Sequence, residues 1–170
     1  MRIALIAKPG HQDTGVGKYA SQLGKALQAQ GHDIFWVYPK VPLPSRLASL
    51  IHRWFGWDLA AFFQNYPVWT RYPRADIYHI TSQNLATLML FRRPPGPTVI
   101  TVHDIIPWLV REDPELCVYK HRFDKWFDWL ALAGLGRANA LIADSEFTRR
   151  SLQQVDVTTD VATVITLGVM

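Results

Sequence analysis

Six short apolar runs alternate with stretches of helical periodicity along this chain, and this alternation restricts the fold more than any other feature of the sequence. The runs are rich in β-branched residues and apolar at consecutive positions, which is typical of parallel strands buried on both faces. The helical pattern is clearest between the first two runs, where Val16, Leu23 and Leu27 share one face and Gly31 ends the helix. The runs cover residues 3–7, 34–38, 77–80, 98–103, 140–143 and 162–167.

This alternation predicts an α/β fold with a single Rossmann-like, doubly wound parallel sheet of about six strands and helices on both faces. We expect the strand order 3-2-1-4-5-6, in which the first and fourth strands are neighbours. Ligands bind such sheets where the strand order reverses, so residues 8–17 and 103–108 are expected to face each other across a crevice. A chain of 170 residues with 49% hydrophobic content can form one core, and we expect one domain over residues 1–170.

The amino-acid composition of the chain limits the cellular compartments and the binding partners that fit it. Cys117 is the single cysteine, so no internal disulfide can form, and no Cys/His spacing of a zinc site occurs. These features favour a reducing, cytoplasmic compartment, and the apolar start of the chain is too short for a signal peptide. The net charge of +4 favours anionic partners, but charged residues at 19% do not indicate nucleic-acid binding. No metal and no cofactor are expected.

The fourth apolar run ends in His103 and Asp104, and Pro107 then prevents the strand from continuing. A central parallel strand delivers such side chains to the ligand crevice. His103 is therefore the catalytic candidate, either as a base or as a hydrogen-bond donor to a sugar hydroxyl, with Asp104 as a substrate-binding neighbour. The alternative is a strand-end histidine satisfied by the backbone, and His79 is interpreted in that structural way.

Gly15, Val16 and Gly17 come just before a helix, where backbone N–H groups and the helix dipole favour a phosphate. These residues are interpreted either as a contact to an anion or sugar phosphate or as a plain turn. A dinucleotide site of an oxidoreductase or regulator is disfavoured, because the second strand ends without an acidic residue for a ribose hydroxyl. Ser145 is expected to cap the last helix, and its hydroxyl remains a candidate ligand contact.

The second crossover, residues 39–75, is rich in aromatic and basic side chains, and residues 45–63 are predicted to form one helix. We expect the segment between Ser45 and Tyr72, with the flanking Arg74, to dock on an anionic membrane or a lipid-linked acceptor, which would place the protein peripherally at the inner face of the membrane. The alternative is that its aromatic rings pack on the sheet or cover a surface left by an absent domain. The residues of this predicted surface are Arg46, His52, Arg53, Trp54, Phe55, Trp57, Phe62, Arg71 and Arg74.

Several segments carry a family resemblance across nearly the whole chain. They are Met1-Arg2-Ile3-Ala4, Thr14-Gly15-Val16-Gly17-Lys18-Tyr19, Gly31-His32-Asp33, Thr101-Val102-His103-Asp104-Ile105-Ile106-Pro107, Ala143-Asp144-Ser145-Glu146-Phe147-Thr148-Arg149-Arg150 and Val164-Ile165-Thr166-Leu167-Gly168-Val169. In this order, they resemble the N-terminal domain of a family-4 retaining glycosyltransferase of GT-B fold. By this resemblance, Gly15 and Gly17 approach the donor sugar phosphate and His103 contacts the transferred sugar. Thr14 departs from the paired glycine that is frequent in the family.

The resemblance also implies the partners. They are a nucleotide-sugar donor, with mannose or glucose as the sugar, and a glycan or lipid-linked acceptor. The family's second, nucleotide-sugar-binding domain is not expected within these 170 residues. We therefore expect the chain to form the acceptor half of the cleft and to be inactive without a C-terminal half, which is missing from this sequence or supplied by another chain. The alternative function is a non-catalytic module of the same fold that binds a glycan or a lipid headgroup.

Overall fold

The computed structural model describes residues 1–9, 14–56, 58–119, 122–157, 159 and 162–165. Within these residues, one sheet contains six strands, all of them parallel: β1 (Arg2–Ile6), β2 (Asp33–Val37), β3 (Ile77–Ile80), β4 (Thr98–Val102), β5 (Ala140–Ala143) and β6 (Ala162–Val164). The helices are α1 (Gly15–Ala29), α2 (Ser45–Phe55), α3 (Leu59–Asn65), α4 (Leu88–Phe91), α5 (Ile106–Leu109), α6 (Arg122–Leu135) and α7 (Glu146–Gln154), with a 3₁₀ helix at Gln83–Thr87. The predicted Rossmann-like α/β fold class is confirmed. The predicted last strand extends to residues 166 and 167, which lie outside the described residues.

The strand order is β2-β1-β3-β4-β5-β6, so the predicted order is wrong. Ile3 of β1 lies opposite Ile34 of β2 on one side and opposite Ile77 of β3 on the other. The first and fourth strands are therefore separated by β3. Strands that are buried on both faces have the same apolar character whichever neighbour they pair with, so their composition does not indicate the order. The strand order reverses between β1 and β3, and the ligand crevice is expected there.

The sheet and its helices are fixed by a dense core and by close backbone contacts. Leu5, Ile80 and Ile100, from three adjacent strands, are fully buried. On one face, α6 approaches the 3₁₀ helix so closely that a Cβ atom at Gly134 would lie 2.1 Å from the carbonyl oxygen of Ala86. Only glycine permits this approach, which fixes α6 against the sheet.

The second crossover contains two helices where one was predicted. Gly56 ends α2 with a left-handed backbone conformation, φ 69°. The Asp58 carboxylate then caps α3 by accepting a hydrogen bond of 2.9 Å from the backbone N–H of Ala61. The glycine and the capping carboxylate explain the break. Trp57 lies outside the described residues. In the part of the chain that the structure describes, no helix is both long and apolar enough to cross a membrane.

Candidate functional site

His103 follows directly after β4, at the carboxyl edge of the sheet. Its Nε2 atom lies 3.0 Å from the carbonyl oxygen of Thr81, and because a carbonyl can only accept, Nε2 carries the hydrogen and donates it. Its Nδ1 atom lies 3.4 Å from Oδ2 of Asp144. The ring edge of Tyr19 packs against the imidazole, with ring centroids 5.0 Å apart. The side chain is only 10% exposed, so the imidazole is held firmly in one orientation.

The start of α7 supports this histidine from the other side. The Ser145 hydroxyl accepts a hydrogen bond of 3.1 Å from the backbone N–H of Thr148, which is the predicted cap. The Thr148 hydroxyl oxygen lies 2.9 Å from the carbonyl oxygen of His103 and 3.0 Å from Oδ1 of Asp144. Asp144 comes directly before this cap. In the structure its carboxylate also reaches the His103 ring, so α7 positions the catalytic candidate.

A second histidine lies beneath this one. The Nε2 atom of His79 is 2.8 Å from the hydroxyl oxygen of Thr101, which is itself 2.8 Å from the hydroxyl oxygen of Tyr19. Burial and, to a smaller extent, repulsion by His103 together lower the pKa of His79 to about 4. His79 is therefore neutral at physiological pH, and its burial fits the structural interpretation.

The larger of two cavities at this edge has a volume of about 610 Å³ and lies between α3, α6 and the residues that follow β4. Aromatic rings and carboxylates share its walls. Among the described residues that line it, none is a lysine, arginine or histidine. The aromatic and acidic lining residues are Phe62, Tyr66, Tyr119, Phe123, Asp58, Asp104, Asp124 and Asp128. In a chain of net charge +4, this cavity is locally acidic.

Asp128 is the functional candidate that the sequence analysis missed. The hydroxyl groups of Tyr66 and Tyr119 donate to its two carboxylate oxygens, with a distance of 3.4 Å from Tyr66 to Oδ1. Burial raises the pKa of Asp128, and the charge of Asp104 raises it as well. The same burial raises the pKa of both tyrosines. A buried carboxylate that faces a cavity is typical of a functional site.

The smaller cavity has a volume of about 430 Å³ and lies at the glycine turn before α1. Val16 and Gly17 line it, together with Lys8 and Lys25. No carboxylate occurs among its described lining residues. The Nζ atom of Lys8 donates a hydrogen bond of 2.7 Å to Oδ1 of Asn65, and burial lowers the pKa of this lysine. The two lysines and the start of a 15-residue helix make this cavity attractive for an anion.

The structure thus places the predicted site residues at different positions around the two cavities. Val16 and Gly17 line the basic cavity, and Asp104 lines the acidic one. His103 lines neither cavity, but its ring donates to the carbonyl oxygen of Thr81, a residue of the basic cavity, and its backbone N–H donates to Gln83 of the acidic cavity, 3.2 Å away.

Besides His103, two of the predicted residues line neither cavity. Gly15 begins α1 beside the basic cavity, and Ser145 caps α7. Within the described ranges, no three His, Cys, Asp or Glu side chains are grouped as a metal site would require.

Comparisons with known proteins give the family of the chain. Residues 14–169 match the profile of Glycosyltransferase Family 4. Among solved structures, the chain is similar to sucrose-phosphate synthase from Thermosynechococcus elongatus, with 16% sequence identity and a TM-score of 0.49 over 99% of this chain and 90% of that one. No curated protein matches the chain in sequence.

Proposed function

Because the chain belongs to Glycosyltransferase Family 4, we propose that it is the acceptor-side domain of an enzyme that transfers a sugar, such as a mannosyl or glucosyl group, from a nucleotide-sugar donor to a glycan or lipid acceptor. The observation that carries this proposal is the pair of cavities of opposite charge on either side of His103. A second domain, in the same protein or another chain, supplies the remaining contacts to the nucleotide.

The acidic cavity is assigned to the acceptor. Sugar rings present apolar C–H faces to aromatic side chains and hydroxyl groups to carboxylates. Phe62 and Phe123 offer ring surface in this cavity, and Asp104 and Asp128 offer acceptor oxygens. The donor carries phosphates, and the local negative charge disfavours it here.

The basic cavity is assigned to the donor sugar phosphate. Transfer with loss of a nucleoside diphosphate requires positive groups that stabilise the developing negative charge on the leaving group. Lys8 and Lys25 provide two such groups, beside the glycine turn of α1. Because burial lowers the pKa of Lys8, a bound phosphate also favours its charged form.

His103 is assigned to the transferred sugar. Its Nε2 hydrogen, which the carbonyl of Thr81 accepts in the structure, is the hydrogen that we assign to a hydroxyl of the bound sugar. Asp144 keeps the ring oriented during this exchange.

A non-catalytic module that binds a glycan or a lipid headgroup is the second candidate. It is favoured by one observation: both ring nitrogens of His103 already face partners within the chain. A binding module needs the acidic cavity alone and has no use for the lysines of the basic one.

Ligand mapping by NMR on the chain itself tests the two assignments. A nucleoside diphosphate is expected to shift the signals of Gly17 and Lys8, with affinity weaker than micromolar, and a neutral disaccharide is expected to shift those of Tyr119 and Asp128. Lys8→Met should abolish only the first response, and Asp128→Asn only the second. If the diphosphate causes no response at millimolar concentration, the donor assignment is contradicted, and the binding module becomes the favoured function.

Turnover is tested after co-expression with a nucleotide-sugar-binding domain of the same family. We expect sugar transfer that His103→Ala lowers by at least about 100-fold in kcat, with an unchanged NMR spectrum of the fold. Glycan binding without any transfer would support the binding module.

A further inference from the structure

Helix α2 exposes a stripe of apolar side chains. Leu47, Leu50 and Trp54 follow one another at helical spacing on one face and are 44%, 52% and 74% exposed. The described contacts of α2 with other elements are mainly with α3. Exposed apolar side chains that are grouped in this way mark an interaction surface, whereas isolated ones do not.

The charge around this stripe has a single sign. Arg46 and Arg53 flank the stripe on one side of the helix, and His52 lies on the opposite face. No aspartate or glutamate occurs between residues 34 and 57. The surface therefore presents an apolar stripe with a basic border along one side.

We propose that α2 lies in the interfacial plane of an anionic lipid bilayer. Leu47, Leu50 and Trp54 enter the boundary between headgroups and acyl chains, and Arg46 and Arg53 contact the phosphates. Each basic side chain near an anionic surface strengthens such binding by about 1 kcal/mol. An anionic bilayer matches both parts of this surface, because it offers an apolar interior to the stripe and phosphates to the arginines.

This surface is narrower than the one expected from the sequence. Phe62 of α3 packs on Phe123 and Phe127 of α6, so it is part of the protein interior. Arg74 lies two residues before Asp76, which pairs with Arg2 at the opposite, amino-terminal edge of the sheet. Neither can share a flat membrane contact with α2.

Docking by α2 also orients the acidic cavity. Helix α2 ends at Gly56, and Gly56 and Asp58 line that cavity. A bound α2 therefore holds this side of the cavity near the bilayer surface. The docking itself does not depend on the proposed glycosyl transfer, so the two can be tested separately.

Vesicle co-sedimentation tests this docking. We expect the wild-type chain to bind phosphatidylcholine vesicles that contain phosphatidylglycerol, to bind pure phosphatidylcholine weakly, and to dissociate as salt rises. Arg46→Glu with Arg53→Glu should lower the partition coefficient by more than about 100-fold, at about fivefold for each unit of charge. Leu47→Ser with Leu50→Ser should lower it by at least about tenfold, which a purely electrostatic contact would not require.

The matched control is Arg74→Glu with Arg137→Glu. These exposed arginines lie near the amino-terminal edge of the sheet, and the pair changes the net charge by the same amount. We expect less than fivefold loss in this control. Three outcomes would each overturn the proposal. They are an equal loss of binding in the two charge-reversed pairs, binding that the serine substitutions leave unchanged, and no binding to the anionic vesicles at low salt.

Discussion

Helices α2 and α3 follow one another in the same crossover, yet only one of them is packed into the protein. In α3, the ring of Phe62 lies 5.3 Å from that of Phe123 and 4.8 Å from that of Phe127, measured between centroids. In α2, the side chain of Trp54 remains 74% exposed. Both helices are rich in apolar residues, so composition alone does not explain why only α3 is packed. A helix becomes buried where the rest of the protein offers an apolar surface for it to pack against.

That surface is provided by α6. Gly134 lets α6 pack directly on the backbone of Ala86, and the first turns of α6 then present Phe123 and Phe127 to α3. The left-handed turn at Gly56 directs α2 away from this aromatic cluster. The contrast between the two helices therefore depends on the position of α6.

Substitution Gly134→Ala is expected to have the largest effect. The added Cβ atom would meet the carbonyl oxygen of Ala86 at 2.1 Å, and backbone cannot move aside as a flexible side chain can. We expect a loss of about 3 kcal/mol or more in the free energy of unfolding, or roughly 10 °C in Tm by calorimetry. Gly136→Ala is the matched control, because its nearest neighbour is 3.7 Å away. Similar Tm values for both variants would mean that α6 is not held by this contact.

A direct comparison of the two helices comes from Phe62→Ala and Trp54→Ala. Phe62 is half-buried among four other rings, so we expect its removal to cost about 2 kcal/mol in urea denaturation. Trp54 loses little contact with the protein, and we expect less than about 0.5 kcal/mol. Equal costs would contradict the contrast between a packed and an exposed helix.

The smallest expected effect is a pH dependence of the contact between α3 and α6, which joins Tyr66 at the end of α3 to Asp128 of α6. Burial raises the folded-state pKa of Asp128 above its usual value of 3.8, so the folded protein binds this proton more tightly than the unfolded chain does. The resulting stabilisation is present at low pH and is lost as the pH rises from about 3.8 through the raised value. Urea denaturation should show wild-type stability falling relative to Asp128→Asn over this window.

Tyr66→Phe should make this dependence steeper, since the hydrogen bond from Tyr66 favours the ionised form of Asp128. A stability difference between the wild type and Asp128→Asn that does not change with pH would show that Asp128 is not buried enough to be perturbed.

The sequence predicts the elements of this fold well and their arrangement less well. Buried parallel strands are continuous apolar runs, so the six strands could be recognised, and Ser145 could be recognised as a cap from its place before α7. The order of the strands depends on which side of β1 the third strand joins. Both pairing edges of β1 consist of backbone N–H and C=O groups, so local side-chain composition contains no information about this choice.

The positions of the candidate residues His103, Asp104 and Gly17 could be predicted for the same reason, because they lie at strand ends and turns, where parallel sheets present ligand contacts. Asp128 could not be predicted in this way. It lies four residues after Asp124 in α6, a spacing that is typical of a solvated helix face. In the structure, however, Tyr66 and Tyr119, which lie outside α6, cover it. The aromatic neighbours Phe123 and Phe127 were the one available signal.

The strand order β2-β1-β3-β4-β5-β6 has a consequence for how the chain is made. Synthesis runs from the N-terminus, and both edges of β1 are paired once Ile80 has left the ribosome. From then on, β4, β5 and β6 each add to the strand made just before them. The growing sheet therefore never has to open to admit a late strand. One free edge of the sheet stays at β2, and the other passes outward from β3 to β6 in the order of translation, so only one aggregation-prone edge changes as the chain grows.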